Sequence, residues 1–206
     1  MLVMVEGANP DRPDEIEKVN LEEAYELVGQ LAADKAIKLD EGLIRTLNSI
    51  TLKGLPSTTS RRRGTYRLGP SSVVDSVTRD VRYRPPPSEW VPDLMKGLIA
   101  DIERWIAEEP PAVAAALAHF GLISIHPFED GNGRVARLIA DFVLHITGWS
   151  IEGMISVSKS ILERRADYYN ALRDAQGPEF VEQVDATPFV QFHTDALLTS
   201  AAVLEE

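Results

Sequence analysis

Apolar residues recur at three- and four-residue spacing along most of this chain, a period that predicts helices rather than strands. Leu21, Ala24, Tyr25, Leu27, Val28, Leu31 and Ala32 place a first helix over 20–38, with Asn20 as its cap and Glu22 and Glu23 in its first turn. Leu43, Ile44, Leu47 and Ile50 place a second over about 40–52. Val91-Pro92 opens a third that runs to about 107, with Leu94, Leu98, Ile99, Ile102, Trp105 and Ile106 facing inward. Pro110-Pro111 interrupts the chain, and Ala112 to Ile123 forms a fourth. From Arg134 to Ile146, Val135, Leu138, Ile139, Phe142 and Leu144 lie on or near one buried side. Helices over 158–175 and 188–204 complete the series. Lysines and acids on the outer faces of the first two helices are read as solvated.

Residues 54–87 break the pattern. Pro56, a Ser/Thr run, Arg61-Arg62-Arg63 and Gly64 lead into Tyr66-Arg67-Leu68-Gly69-Pro70 and, later, Val81-Arg82-Tyr83-Arg84. Turn residues between short β-prone runs predict a loop followed by a hairpin of irregular length. The expected fold class is therefore all-α with one small β-hairpin.

Composition narrows the function classes. A chain of 206 residues with 44% hydrophobic and 26% charged residues suits one domain with a real core. The formal net charge of -11 argues against general binding of nucleic acid, whose phosphates it would repel. With no cysteine there are no disulfides or thiolate metal sites, which fits a cytoplasmic location. No apolar run approaches the ~20 residues that span a bilayer, so no membrane partner is expected. Met1 to Val5 is too short, and lacks the basic flank, for a secretory signal.

The candidate chemistry sits between the fourth and fifth helices, in His126-Pro127-Phe128-Glu129-Asp130-Gly131-Asn132-Gly133-Arg134-Val135-Ala136-Arg137. Gly131, Asn132 and Gly133 tolerate backbone angles closed to most residues, and successive amides in such a turn form an anion nest. The following helix adds its unpaired N–H groups and the positive end of its dipole. Arg134 and Arg137 share one face of the first helical turn and can reach one polyanion. Asp130 is placed to hold a divalent cation that bridges phosphate oxygens. His126 is the side chain there that takes a proton near neutral pH. Together these describe transfer of a phosphate-containing group to a hydroxyl. A helix cap followed by a basic turn would need neither the histidine nor the paired arginines.

The same run matches, position for position, the signature H-P-F-x-[D/E]-G-N-[G/K]-R-x-x-R, and the chain resembles the Fic-domain family. Gly64-Thr65-Tyr66-Arg67 and Tyr83-Arg84-Pro85-Pro86 are similar to the two strands of the family's flap. Val91-Pro92-Asp93-Leu94-Met95 and Tyr168-Tyr169-Asn170-Ala171-Leu172 match further segments. The resemblance runs from about residue 20 to 175. It implies a Fic domain over 20–206, preceded by an N-terminal segment 1–19.

By that resemblance the protein is an adenylyltransferase that uses Mg-ATP. His126 would deprotonate a Ser, Thr or Tyr hydroxyl of a target protein, and Asp130 would hold Mg²⁺. The amides of Gly131 to Gly133, with Asn132, would stabilise charge on the α-phosphate, and Arg134 and Arg137 would hold the outer phosphates. Phe128 would anchor the loop, and Pro127 would stiffen it. Tyr168 and Tyr169 would help build the nucleoside pocket, unless they only pack. The flap, with Tyr66, Arg67 and Tyr83, would dock an extended target segment by strand addition. A homodimer is left open. His119, His145 and His193 are read as packing or capping residues. Many relatives carry an inhibitory helix with the pattern [S/T]-x-x-x-E-[G/N]; Leu2 to Gly7 fits its end, with Leu2 where Ser or Thr is expected. Glu6 would then pair with Arg137. Three other readings remain: transfer of phosphate or phosphocholine, removal of AMP aided by Glu6, and a silent module that senses nucleotide.

Overall fold

The computed structural model describes residues 13–34, 37–55, 62–75, 78–149, 158, 161 and 163–202, with the backbone alone at 201 and 202. Glu6 and its surrounding segment lie outside these residues, as does Arg61. Seven helices and one hairpin are described: α1 (Pro13–Ala33), α2 (Glu41–Thr51), β1 (Val73–Val74), β2 (Val81–Tyr83), α3 (Val91–Glu108), α4 (Pro111–Ile125), α5 (Asn132–Ile146), α6 (Arg165–Gln176) and α7 (Thr187–Ala202). The all-α class with a small hairpin is the observed architecture.

The core is built around an α4–α5 pair. α5 also packs on α1 and α2, while α4 packs on α3 and α7. Val135, Leu138, Ile139, Ala140, Phe142, Val143 and Leu144 are all fully buried, so α5 is enclosed on more than the one side its periodicity suggested. α3 crosses α4 closely at Gly121, where a β-carbon would lie 2.3 Å from Leu98 Cδ1.

α1 starts earlier than its apolar spacing suggested. Pro13 supplies a fixed φ at the first helical position, and Asp14 and Glu15 complement the helix dipole. Asn20 is consequently not a cap. It is buried inside the helix, and its Nδ2 donates to the Lys53 carbonyl at 2.7 Å. α1 also runs unbroken through residues 19 and 20, where the sequence suggested a boundary. Asp40 is the N-cap of α2, its carboxylate accepting from the Leu43 N–H at 2.7 Å.

The hairpin is shorter than its sequence suggested. β1 and β2 are antiparallel, with Val73 opposite Tyr83 and Val74 opposite Val81 across an irregular register. Residues 64–67 form a turn and an irregular stretch instead of a strand. The hairpin is tied to the body where Arg84 bridges Glu179: the Arg84 N–H donates to Pro178 O at 3.0 Å and the Phe180 N–H to Arg84 O at 2.9 Å.

Candidate active site

α4 delivers His126 at its C-terminus. The residue adopts a left-handed conformation (φ 52°, ψ 58°) while its N–H still donates to Leu122 O at 2.9 Å. A non-glycine residue in this region is strained and persists only where its surroundings hold it. Burial pushes the His126 pKa down to about 4; the Ile123 backbone and the Asp130 carboxylate pull it back up, and the Arg67 guanidinium pushes it further down. At neutral pH the imidazole is uncharged and able to accept a proton.

The loop after His126 is fastened by side chains of its own and of α2. Phe128 is buried, its ring 5.5 Å from that of Tyr66. Asn132 Oδ1 accepts from the Phe128 N–H at 2.9 Å, and Asn132 Nδ2 donates to the Phe128 carbonyl at 2.9 Å. The amide of Asn132 is thereby committed to the loop, and a direct role on a phosphate passes to the backbone. From α2, Asn48 Nδ2 donates to the Asp130 carbonyl at 2.9 Å, and Asn48 Oδ1 accepts from the Gly64 N–H at 2.8 Å. Gly131 has φ 82°, and a β-carbon there would lie 2.9 Å from Asn48 Nδ2, so both conformation and space require glycine.

The N-terminus of α5 faces this loop. Its first intrahelical bond runs from the Val135 N–H to Gly131 O at 3.0 Å, so the N–H groups of Asn132, Gly133 and Arg134 precede the ladder. The Gly131 N–H donates to Asp130 Oδ1 at 2.6 Å. Arg134 lies against the same oxygen at 3.2 Å, donates to Thr51 O at 3.3 Å, and pairs with Glu17 of α1 at 3.4 Å. Arg137 folds back along the helix, with one terminal nitrogen 3.6 Å from where a Gly133 β-carbon would stand. Its Nε is buried without a hydrogen-bond partner.

Asp130 offers a half-buried carboxylate beside an anion-binding helix end, with Oδ1 engaged by Gly131 and Arg134. One carboxylate completed by phosphate oxygens and water is an ordinary magnesium arrangement, so the residues fit that ion. Among the described residues there is no cluster of three or more His, Asp or Glu that would make a closed protein cage.

The predicted flap residues sit elsewhere than expected. Tyr66, Arg67 and Tyr83 are buried, so their side chains do not present a target-docking surface. Tyr83 donates through its hydroxyl to Ser124 O at 2.8 Å, fixing the hairpin to the end of α4. Among the described residues of the two strands, Val74 and Val81 are the exposed apolar ones. Tyr168 is buried against His119, its hydroxyl 3.2 Å from Nε2, so its ring is part of the core; Tyr169 is exposed. His119 and His193 are fully buried packing residues. Asn48 and Glu17 were missed because a lone polar residue on an amphipathic helix gives no sign of a partner 82 or 117 positions away.

Residues 38–144 match the Fic/DOC family, and the chain belongs to it. It is 33% identical over 123 residues to the protein adenylyltransferase fic-1 of Caenorhabditis elegans, a match covering 56% of this chain and 21% of that one. It is 36% identical over 103 residues to the protein adenylyltransferase Fic of Drosophila melanogaster, covering 48% and 18%. The chain thus spans about a fifth of the length of these curated relatives. A Fic-domain-containing signalling protein from Bacteroides thetaiotaomicron shares the fold with a TM-score of 0.75 at 29% identity, over 92% of this chain and 70% of that one.

Proposed function

We propose that this domain transfers AMP from Mg-ATP to a hydroxyl of a target protein. The reading is carried by one observation: an uncharged, conformationally constrained His126 sits beside a helix N-terminus that bears two arginines. His126 takes the proton from the attacking hydroxyl, whose oxygen bonds to the α-phosphorus. The bond from that phosphorus to the bridging oxygen of the β-phosphate breaks, and pyrophosphate leaves. The backbone N–H groups at the start of α5 stabilise charge on the α-phosphate, and Arg134 and Arg137 hold the outer phosphates. A magnesium ion held by Asp130 and the phosphates would neutralise part of the nucleotide's charge.

Docking of the target is proposed at the hairpin, through backbone pairing beside the exposed Val74 and Val81 rather than through Tyr66, Arg67 or Tyr83. A small cavity lined by Arg67, Gly69, Pro70, Ser71 and Glu129 lies between hairpin and loop, where a hydroxyl-bearing side chain could enter. Incubation with ATP and magnesium followed by mass spectrometry tests the reading. An added AMP on the chain or on a co-incubated protein supports it. An added phosphate alone would mean kinase chemistry, and bound nucleotide without any adduct would mean a silent sensor.

A further inference from the structure

Arg67 is almost wholly buried, at 2% exposure, in a protein rich in carboxylates, and none of the described acids lies within ion-pair distance of it. Its donors go to backbone carbonyls instead. Nε donates to His126 O at 2.8 Å, Nη1 to Gly69 O at 3.1 Å, and Nη2 to Pro86 O at 2.5 Å and Ile125 O at 3.5 Å. The Arg67 backbone N–H adds a bond to Pro127 O at 2.9 Å. One residue therefore holds three consecutive carbonyls, of Ile125, His126 and Pro127, across the left-handed turn. The same guanidinium holds Gly69 and Pro86, which flank the hairpin on either side.

A buried cation with no acid in contact is costly; Glu89 favours its charge only from a distance, so further compensation needs a source. The Ile125 and His126 carbonyls close the C-terminal end of α4, where the helix dipole is negative. Burial lowers the Arg67 pKa, but a guanidinium stays charged. His126 gains from an outside restraint, because a left-handed backbone, though histidine adopts it more readily than most residues, still costs free energy.

We infer that Arg67 is a positioning residue: its guanidinium fixes the left-handed turn that aims His126 and makes the catalytic loop answer to the placement of the hairpin. This rests on His126 being the base of the proposed transfer. The charged groups facing the ring are Arg67 from the hairpin stem and Asp130 from the loop, so Arg67 also favours the uncharged imidazole. Lysine would keep the charge but, with one compact ammonium, could not span carbonyls on both the loop and the hairpin stems.

The test compares Arg67→Lys and Arg67→Met with the wild-type chain. Self-modification is followed with α-labelled ATP, nucleotide affinity by calorimetry with ATP, folding by thermal melts, and His126 ionisation by NMR titration of its ring. In the folded Arg67→Lys protein, kcat should fall at least tenfold while the Kd for ATP stays within about twofold. Arg67→Met should lose as much rate and also raise the His126 titration point. In the wild type, the Arg67 Nε–H should exchange slowly with solvent. A folded Arg67→Lys variant with unchanged kcat, an equal loss of ATP affinity and rate, or a fast-exchanging Nε–H would each overturn the proposal. If the wild type labels nothing yet His126 still responds to Arg67→Met, AMP transfer fails while the positioning of His126 stands.

Discussion

Asn132 and Phe128 are joined by two hydrogen bonds of 2.9 Å, the side-chain amide of one closing on the backbone N–H and carbonyl of the other. The residue that starts α5 thus fixes the loop that precedes it, and sets how the helix N-terminus meets His126. Asn132→Ala would leave both Phe128 backbone groups buried and unpaired, each worth about 1–3 kcal/mol. Thermal melts should show that loss, and AMP transfer should drop with it. Asn132→Asp should keep the bond from the Phe128 N–H and lose the other, giving an intermediate stability.

Phe128 is the apolar half of the same fastening. It is buried and packs on Tyr66, and truncation to alanine should cost about 3–5 kcal/mol. Denaturant melts of Phe128→Ala check this; a loss below about 1 kcal/mol would mean the loop is not anchored there.

Glu17 approaches Arg134 at 3.4 Å, and under the proposed function it would compete with the nucleotide for that guanidinium. Glu17 is about half exposed, so the pair is worth at most about 1 kcal/mol. Glu17→Gln should tighten ATP binding by no more than about fivefold, with little change in melting temperature. Calorimetric titration with ATP reads the effect directly, and unchanged affinity would show that Glu17 does not compete.

Acid should unfold this protein through its histidines. Burial pushes the His193 pKa down to about 3 and the His126 pKa down to about 4, and holds His119 well below its ordinary range, with His193 and Arg137 adding to the shift. The unfolded chain takes up these protons near pH 6.5, before the folded one does. Their stability contribution is therefore complete above about pH 6.5 and is lost as pH falls toward 3, at up to about 1.4 kcal/mol per histidine per pH unit. His193→Leu should flatten the decline measured by melts between pH 7 and 4.5.

The helices and the signature loop were legible because both are local signals. Helical period, Pro-Pro breaks and a run of specified residues need no knowledge of distant contacts, and α3, α4 and α5 lie within two residues of where that pattern set them. The start of α1 was also written in the sequence, as Pro13 followed by Asp14 and Glu15, but the apolar spacing that begins at Leu21 put the start at Asn20. What sequence could not supply were pairings across the fold. Arg67 and Tyr66 stand in a polar, arginine-rich stretch that reads as surface, yet both turn inward to the loop 59 and 62 positions on. Asn48 looks like one more polar residue on an amphipathic helix until the loop is folded against it.

Transfer of label from [α-³²P]ATP to protein by the wild type and by His126→Ala is the most direct measurement. The predicted result is stable α-label on protein in the presence of magnesium, with a rate that falls by about 10²–10⁴ when His126 is removed. No α-label from the wild type, or equal labelling by His126→Ala, would contradict it.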